Sequence, residues 1–355
     1  MDYVREGDTV IIDGGTGEII INPDPEQIAY YMRLKKEYER QAGELRRYAG
    51  MPSITKDGRR VRLEANIGTE RDAGLAVSHG AEGIGLVRTE FLYMGRRDMP
   101  SEQEQFEAYR NILKSMGNRP VIFRTLDAGG DKELPALGLA KEDNPFLGFR
   151  AIRICLQNQP LFKTQLRALL RAGAHGDCRV MFPMISSLGE LRRAKKIVEE
   201  VKAELSHERI PYKADIPVGI MVEIPAVAVM AGTFADEADF FSIGTNDLVQ
   251  YTLAADRGNP RLAEISTVYH PAVLNLIASA IRAAKEHHIP CGMCGEAAGD
   301  AKLIPFLLGA GLEEFSMTAS AIPGVRKLIA GLSYNACRDL AEEILKLKTD
   351  EDVIN

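Results

Sequence analysis

Phe240-Phe-Ser-Ile-Gly-Thr-Asn-Asp247 is an apolar run that ends in an amide and a carboxylate, and Arg257 follows ten residues after Asp247. A short continuous apolar run bounded by glycine suits a strand buried on both faces, as in a parallel sheet. Two readings of its end are open. Asn246 and Asp247 cap the next helix, or they belong to a site at the carboxyl end of the strand, where parallel barrels place their chemistry. Recurrence separates the two. Apolar runs also occupy Val61 to Ile67, Ile84 to Glu90, Val121 to Leu126, Val180 to Pro183, Val218 to Ile224, Pro290 to Cys294 and Glu314 to Met317. Helical patterns lie between them, at Glu102 to Met116, Leu188 to Leu205, Pro271 to His288 and Ala301 to Leu308. Eight alternations of apolar strand and amphipathic helix predict an α/β fold, a (β/α)8 TIM barrel over residues 55–355. An open doubly wound sheet usually carries a Gly-rich first turn, and none follows the first strand here.

Upstream of the barrel the pattern changes. Thr9 to Ile12 and Glu18 to Asn22 flank the turn-rich Asp13-Gly-Gly-Thr-Gly17, which predicts a β-hairpin. A lone hairpin is marginal, so residues 1–24 read as the tail of a domain whose body lies elsewhere. Asp24-Pro25-Glu26-Gln27 is a helix start with an N-cap acceptor, Pro at the first helical position and Gln three residues after the cap. The charged helix that follows reads as a linker over residues 25–52, stopped by Gly50-Met51-Pro52.

Composition bounds the function. The net charge of −6 gives the surface no general attraction for nucleic acid or anionic membrane, so an anion site must be local. There is no basic-then-apolar start and no apolar run long enough to span a bilayer, which predicts a soluble, cytoplasmic protein. Five cysteines without a framework spacing predict reduced thiols.

Charged residues gather at the predicted strand ends. Arg88 and Glu90 end the second strand on one face by strand alternation, Arg124 ends the third with Asp127 nearby, and Glu223 ends the fifth. Structural ion pairs would explain Arg88 with Glu90 and Arg124 with Asp127 equally well. Glu223 is harder to explain that way, because a lone carboxylate in an apolar run must be paired, protonated or bound to metal. Glu223 and Asp247 from neighbouring strand ends suit Mg²⁺, which takes one or two protein acids and fills its other positions with water and substrate oxygens. Arg88, Arg124 and Arg257 then predict a substrate carrying phosphate and carboxylate. Cys291 and Cys294 have opposite strand parity and no completing ligands, so zinc and disulfide exchange are disfavoured. That leaves Cys294 as a thiol at a strand end, either a proton donor or a small buried residue. Ala128-Gly-Gly-Asp-Lys132 lacks P-loop spacing and reads as a flexible loop. Arg150 is placed to reach the barrel mouth, Arg153 reads as a surface charge, and the six histidines read as structural.

Taken together, Gly-Ile-Gly-Leu-Val-Arg88-Thr-Glu-Phe-Leu, Arg124-Thr-Leu-Asp with Gly-Gly-Asp-Lys132, Asn-Pro-Phe-Leu-Gly-Phe-Arg150, Met-Val-Glu223-Ile-Pro, Gly-Thr-Asn246-Asp247-Leu through Arg257, and Gly-Met-Cys294-Gly-Glu resemble the phosphoenolpyruvate-utilising enzymes. The resemblance is greatest to the substrate-binding half of the enzyme I family of the bacterial sugar phosphotransferase system, and it covers the whole chain. It implies that Glu223 and Asp247 hold Mg²⁺ and that Arg88, Arg124, Asn246 and Arg257 hold phosphoenolpyruvate (PEP), with Asp247, Arg150 and Lys132 also at the substrate. It implies that Cys294 protonates the enolate carbon when pyruvate forms, and that the protein is a homodimer. In that family the phosphoryl group passes to a histidine on a separate domain, in a Gly-Gly-x-Thr-Ser-His-like stretch, and then to the histidine-containing phosphocarrier protein. No such stretch occurs here. The chain therefore resembles a piece holding the end of that phosphohistidine domain, expected to bind PEP and to lack full activity alone. Alternatives are the equivalent domain of PEP synthase or pyruvate phosphate dikinase, an Mg²⁺-dependent aldolase-type lyase, and a ligand-regulated dimerisation module without turnover.

Overall fold

The computed structural model describes residues 4–130, 134–138 and 140–355, and by its internal contacts the chain divides into residues 1–48 and residues 49–355. In the first unit the expected hairpin forms from β1 (Val10–Asp13) and β2 (Glu18–Ile21), paired antiparallel. Asp13 Oδ1 accepts from the Gly15 and Thr16 N–H groups at 2.8 and 3.3 Å, which folds the turn. A helix runs over Pro25–Arg46 from the predicted cap: Asp24 Oδ1 accepts from Gln27 N at 2.7 Å, and Gln27 Oε1 accepts from Asp24 N at 3.0 Å. It ends four residues before Gly50. Tyr31 donates to Glu18 at 2.7 Å, tying hairpin to helix within this unit.

The second unit is the predicted barrel. Eight parallel strands close on themselves in sequence order, β3 (Arg62–Ile67), β4 (Ile84–Arg88), β5 (Val121–Arg124), β6 (Cys178–Phe182), β7 (Val218–Val222), β8 (Phe241–Ile243), β9 (Cys291–Met293) and β10 (Glu314–Met317), with β10 pairing to both β9 and β3. Each strand lies within a residue or two of its expected place.

Strand alternation sorts the side chains into two layers. Leu63, Val121, Phe123, Val180, Val218, Ile220, Phe241 and Phe315 point outward into one large core beneath the helices. Leu86, Ile122, Met181, Met221, Phe240 and Cys294 form a separate apolar cluster inside the barrel. This division puts Cys291 in the outer core and Cys294 in the inner cluster, as their opposite parity predicts.

One expectation fails at the end of β4. Ladder pairing stops at Arg88 opposite Arg124, and Thr89–Leu92 winds into a 3₁₀ turn. Thr89 Oγ1 donates to the Arg124 carbonyl at 2.9 Å. Strand parity no longer applies beyond Arg88, so Arg88 is exposed while Glu90 is buried. Glu90 therefore reaches the strand end from the turn and not from the strand itself.

Candidate active site

A cavity of about 430 Å³ opens at the carboxyl end of the barrel strands. Leu86, Met221 and Cys294 line its floor, and Phe91 and Met94, each about half exposed, are also in its lining. Its charged lining is Arg88, Arg124 and Arg257 against Glu90, Asp127, Glu223, Asp247 and Glu296.

Asp247 arrives by the route that the capping reading denied. The helix Thr245–Leu253 has Gly244 at its N-cap and no side-chain cap bond, so Asn246 and Asp247 lie inside its first turn. A carboxylate there is favoured by the helix dipole. Gly244 is needed for the approach of β7, because a Cβ on it would lie 2.9 Å from the Met221 side chain and 3.1 Å from Glu223 Cβ. Asn246 is tethered to the loop after β9, its Nδ2 3.3 Å from Glu296 Oε1 and its Oδ1 3.4 Å from Glu296 N.

Glu223 is fully enclosed, and its Oε1 accepts from Met184 N at 2.6 Å. Met184 holds φ at 58°, a region unfavourable for a long side chain, and this backbone aims the N–H at Glu223. Burial, with Asp247 and Asp127 alongside, pushes the Glu223 carboxyl up to about 8.

The arginines hold these acids in a chain. Arg124 pairs with Glu90 and, at 3.1 Å, with Asp127. Burial alone would lower Arg124, but Glu90, Asp127 and Glu223 outweigh it and keep the guanidinium charged. Arg150 is fully buried; it donates to Asp127 at 2.9 Å and lies 3.4 Å from Asp247. Its approach depends on Gly129, at φ 92°, whose Cβ would lie 2.7 Å from Arg150 Cβ. Arg257 reaches to 3.8 Å from Asp247. Burial raises the Cys294 thiol above its ordinary value, so it stays protonated on the cavity floor.

Of the residues that the sequence singled out, Arg88, Arg124, Glu223, Asn246, Asp247, Arg257 and Cys294 all line this one cavity. Arg150 does not line it and stands behind Asp127 and Asp247. Lys132 lies outside the described residues. Arg153 is partly exposed, and its Nη1 donates to the Leu147 and Gly148 carbonyls at 3.1 and 2.7 Å. Two neighbours of the site escaped the sequence, Tyr251 and Phe146. The hydroxyl of Tyr251 accepts from Arg150 at 3.1 Å, and the ring of Phe146 lies beneath Arg150 and Arg257. The available signal for Tyr251 was its place four residues after Asp247 on one helix face.

The donor set fits a hard divalent cation. Glu223 and Asp247 offer two carboxylates from neighbouring strands, few enough to suit Mg²⁺ with water and substrate completing its shell. Among the described residues, no cluster of three or more His, Cys, Asp and Glu is arranged to hold a metal by itself. Asp247 and Asp127 crowd Glu223, and a cation entering with an anion would relieve that crowding. Arg124, moreover, leaves its buried Nε without a hydrogen-bond partner among the described residues.

Residues 42–334 match the family described as PEP-utilising enzyme, PEP-binding domain. The chain is 53% identical over 352 residues to a phosphoenolpyruvate-protein phosphotransferase of Geobacillus stearothermophilus, covering 99% of this chain and 61% of that protein. It is 49% identical over 354 residues to the protein of the same name from Staphylococcus carnosus (strain TM300), covering all of this chain and 62% of the relative. The same name belongs to a Priestia megaterium protein 50% identical over 354 residues, again covering all of this chain and 62% of the relative. The chain thus spans about three-fifths of the length of these relatives.

Proposed function

Since the chain belongs to the PEP-utilising enzymes and carries their PEP-binding domain, we propose that its cavity binds PEP together with Mg²⁺ and supplies the donor half of a phosphoryl transfer to a histidine on a separate domain. The observation that carries this reading is the placing of two crowded carboxylates, Glu223 and Asp247, in one cavity with three arginines. The arginines suit a phosphorylated carboxylate, and the two acids suit a metal that enters with it.

Glu223 and Asp247 would hold the metal, which when bound neutralises the negative charge developing on the phosphate and enolate oxygens. Arg88, Arg124 and Arg257 bind the phosphate and carboxylate, since guanidinium groups match both anions geometrically. Asn246, fixed by Glu296, offers an amide at the same rim. When the phosphorus–oxygen bond breaks, the electron pair stays on the enolate oxygen and C3 becomes basic. The Cys294 thiol gives C3 its proton, leaving a thiolate that the nearby arginines stabilise. Buried Leu86 and Met221 keep water from competing for that carbon.

The acceptor histidine, the phosphocarrier protein downstream, a homodimeric assembly and a cytoplasmic location complete the reading. No described helix is long and apolar enough to cross a membrane. The hairpin of residues 1–24 would be the last part of the domain that carries the histidine.

Calorimetry tests the central claim. PEP is expected to bind in the presence of Mg²⁺ and to lose that binding in excess chelator; equal affinity in both would overturn the reading. Adding the histidine-bearing domain as a separate polypeptide should produce phosphohistidine, and a mixture of folded parts without it counts against the transfer. For the acid, Cys294→Ala should slow deuterium entry into the pyruvate methyl group by about a hundredfold, within the range of general acid–base catalysis. Unchanged exchange would remove Cys294 from its role.

A further inference from the structure

A loop and a helix meet beside Asp247 through contacts that the proposed chemistry does not use. From the loop after β5, Pro145–Leu147 makes one 3₁₀ turn that presents Phe146. The turn is braced from outside: the Glu142 carboxylate accepts from Phe149 N at 3.1 and 2.9 Å, and Arg153 donates to the Leu147 and Gly148 carbonyls. From the helix after β8, Tyr251 donates its hydroxyl to the Phe146 carbonyl and accepts from Arg150 Nη1 at 3.1 Å. The Phe146 ring centroid lies 5.9 Å from the Arg150 guanidinium carbon and 5.5 Å from that of Arg257. Both distances fall within the range in which a ring face attracts a cation.

Each arginine needs such a support. Arg150 bridges Asp127 and Asp247, so its position sets where the Asp247 carboxylate is held. Arg257 follows the left-handed residue Ala254, in coil beyond the end of its helix. Its side chain is partly exposed, and ordering a long side chain on an anion costs rotamer entropy. A ring beneath the guanidinium and a hydroxyl locking the ring's own backbone reduce that loss.

We propose that Phe146 and Tyr251 are positioning residues, which hold Arg150 and Arg257 at Asp247 before the substrate arrives. The ring sets where the two guanidiniums lie, and the hydroxyl ties the β5 loop to the β8 helix. This inference depends on the PEP reading only for the identity of the ligand.

The test has two arms. In ¹⁵N-labelled ligand-free chain, the Arg150 and Arg257 Nε–Hε resonances should move in Phe146→Leu and Tyr251→Phe and return to the wild-type positions in Phe146→Tyr. Resonances that stay in place in both of the first two variants overturn the inference, whether or not PEP binds. In the second arm, with PEP and Mg²⁺, Tyr251→Phe should weaken binding about tenfold, as expected for losing a hydrogen bond to a charged group. Phe146→Leu should weaken it about threefold, and Phe146→Tyr should restore it. Affinities within a factor of 1.5 of wild type in both weakened variants also overturn the inference, because a purely structural substitution would lower the melting temperature without this pattern of rescue. Failure of the wild-type chain to bind PEP would instead defeat the functional reading and leave the resonance arm to decide the positioning role.

Discussion

At the amino end of the strands, Glu64 of β3 and Glu314 of β10 sit inside the barrel with Arg62, whose Nε is 3.4 Å from Glu64 and whose guanidinium pairs with Glu314. At the carboxyl end, Glu223 and Asp247 sit with Arg124 and Arg150. Both ends bury carboxylates beside arginines, and both raise a glutamate above its ordinary value. Space separates them. Around Glu64 the backbone closes in, since a Cβ on Gly83 would lie 2.8 Å from one carboxylate oxygen and a Cβ on Gly85 would lie 2.8 Å from the other. Around Glu223 the strand-end loops leave a cavity of about 430 Å³. Buried charge alone therefore does not mark a site. A site needs buried charge that faces room for a ligand.

The comparison breaks most easily at Glu223. Glu223→Gln keeps an oxygen for Met184 N–H, so the fold should survive, while the charge needed for the metal is lost. PEP affinity in Mg²⁺ is expected to fall at least about a hundredfold, beyond what loss of an outer-shell partner costs. Calorimetry checks this, and a loss below tenfold would show that the carboxyl end is as structural as the other.

The next effect belongs to the amino end. Gly83→Ala would place its Cβ 2.8 Å from Glu64 and 2.9 and 3.0 Å from Pro120 atoms. Overpacking of this kind costs about 1–3 kcal/mol, visible as a lower melting temperature. PEP affinity should stay within twofold of wild type. If affinity falls along with stability, the two ends are coupled and the contrast between them fails.

How much of this was legible in the sequence follows from the same distinction. Strand places were legible because each barrel strand is an apolar run with its own boundary residues, as at Phe241–Ile243 before Gly244. The site residues were legible because their place follows from where a strand ends, which needs no distances. Glu90 was placed on a strand that ends two residues before it, because a strand's last ladder bond is set by its neighbour, here the pairing of Arg88 with Arg124, and one strand's sequence does not show it. Tyr251 and Phe146 were missed because their contact joins a helix and a loop 105 residues apart in the chain. Glu64 was passed over within Val61 to Ile67 although, like Glu223, it interrupts an apolar strand. Residue type could not tell the two apart; position along the strand could, since Glu64 lies well before its carboxyl end and Glu223 just beyond it.

The finest test of the contrast is the pH response of Glu64. Burial raises its carboxyl from 4.5 to about 6, while Arg62 and Arg179 pull it back. A carboxyl that holds its proton more tightly folded than unfolded favours the folded state in acid. That contribution is complete below about pH 4.5 and is lost as pH rises through about 6, so stability falls across this window. That rise corresponds to about 2 kcal/mol. Glu64→Gln removes the titration, and the variant's melting temperature should therefore gain on wild type between pH 4.5 and pH 7.5. Ligand affinity at neutral pH should not change, because Glu64 does not line the cavity. Parallel melting profiles across the window would mean that Arg62 and Arg179 neutralise Glu64 completely. In that case the amino end would differ from the carboxyl end in its charge balance as well as in the space around it.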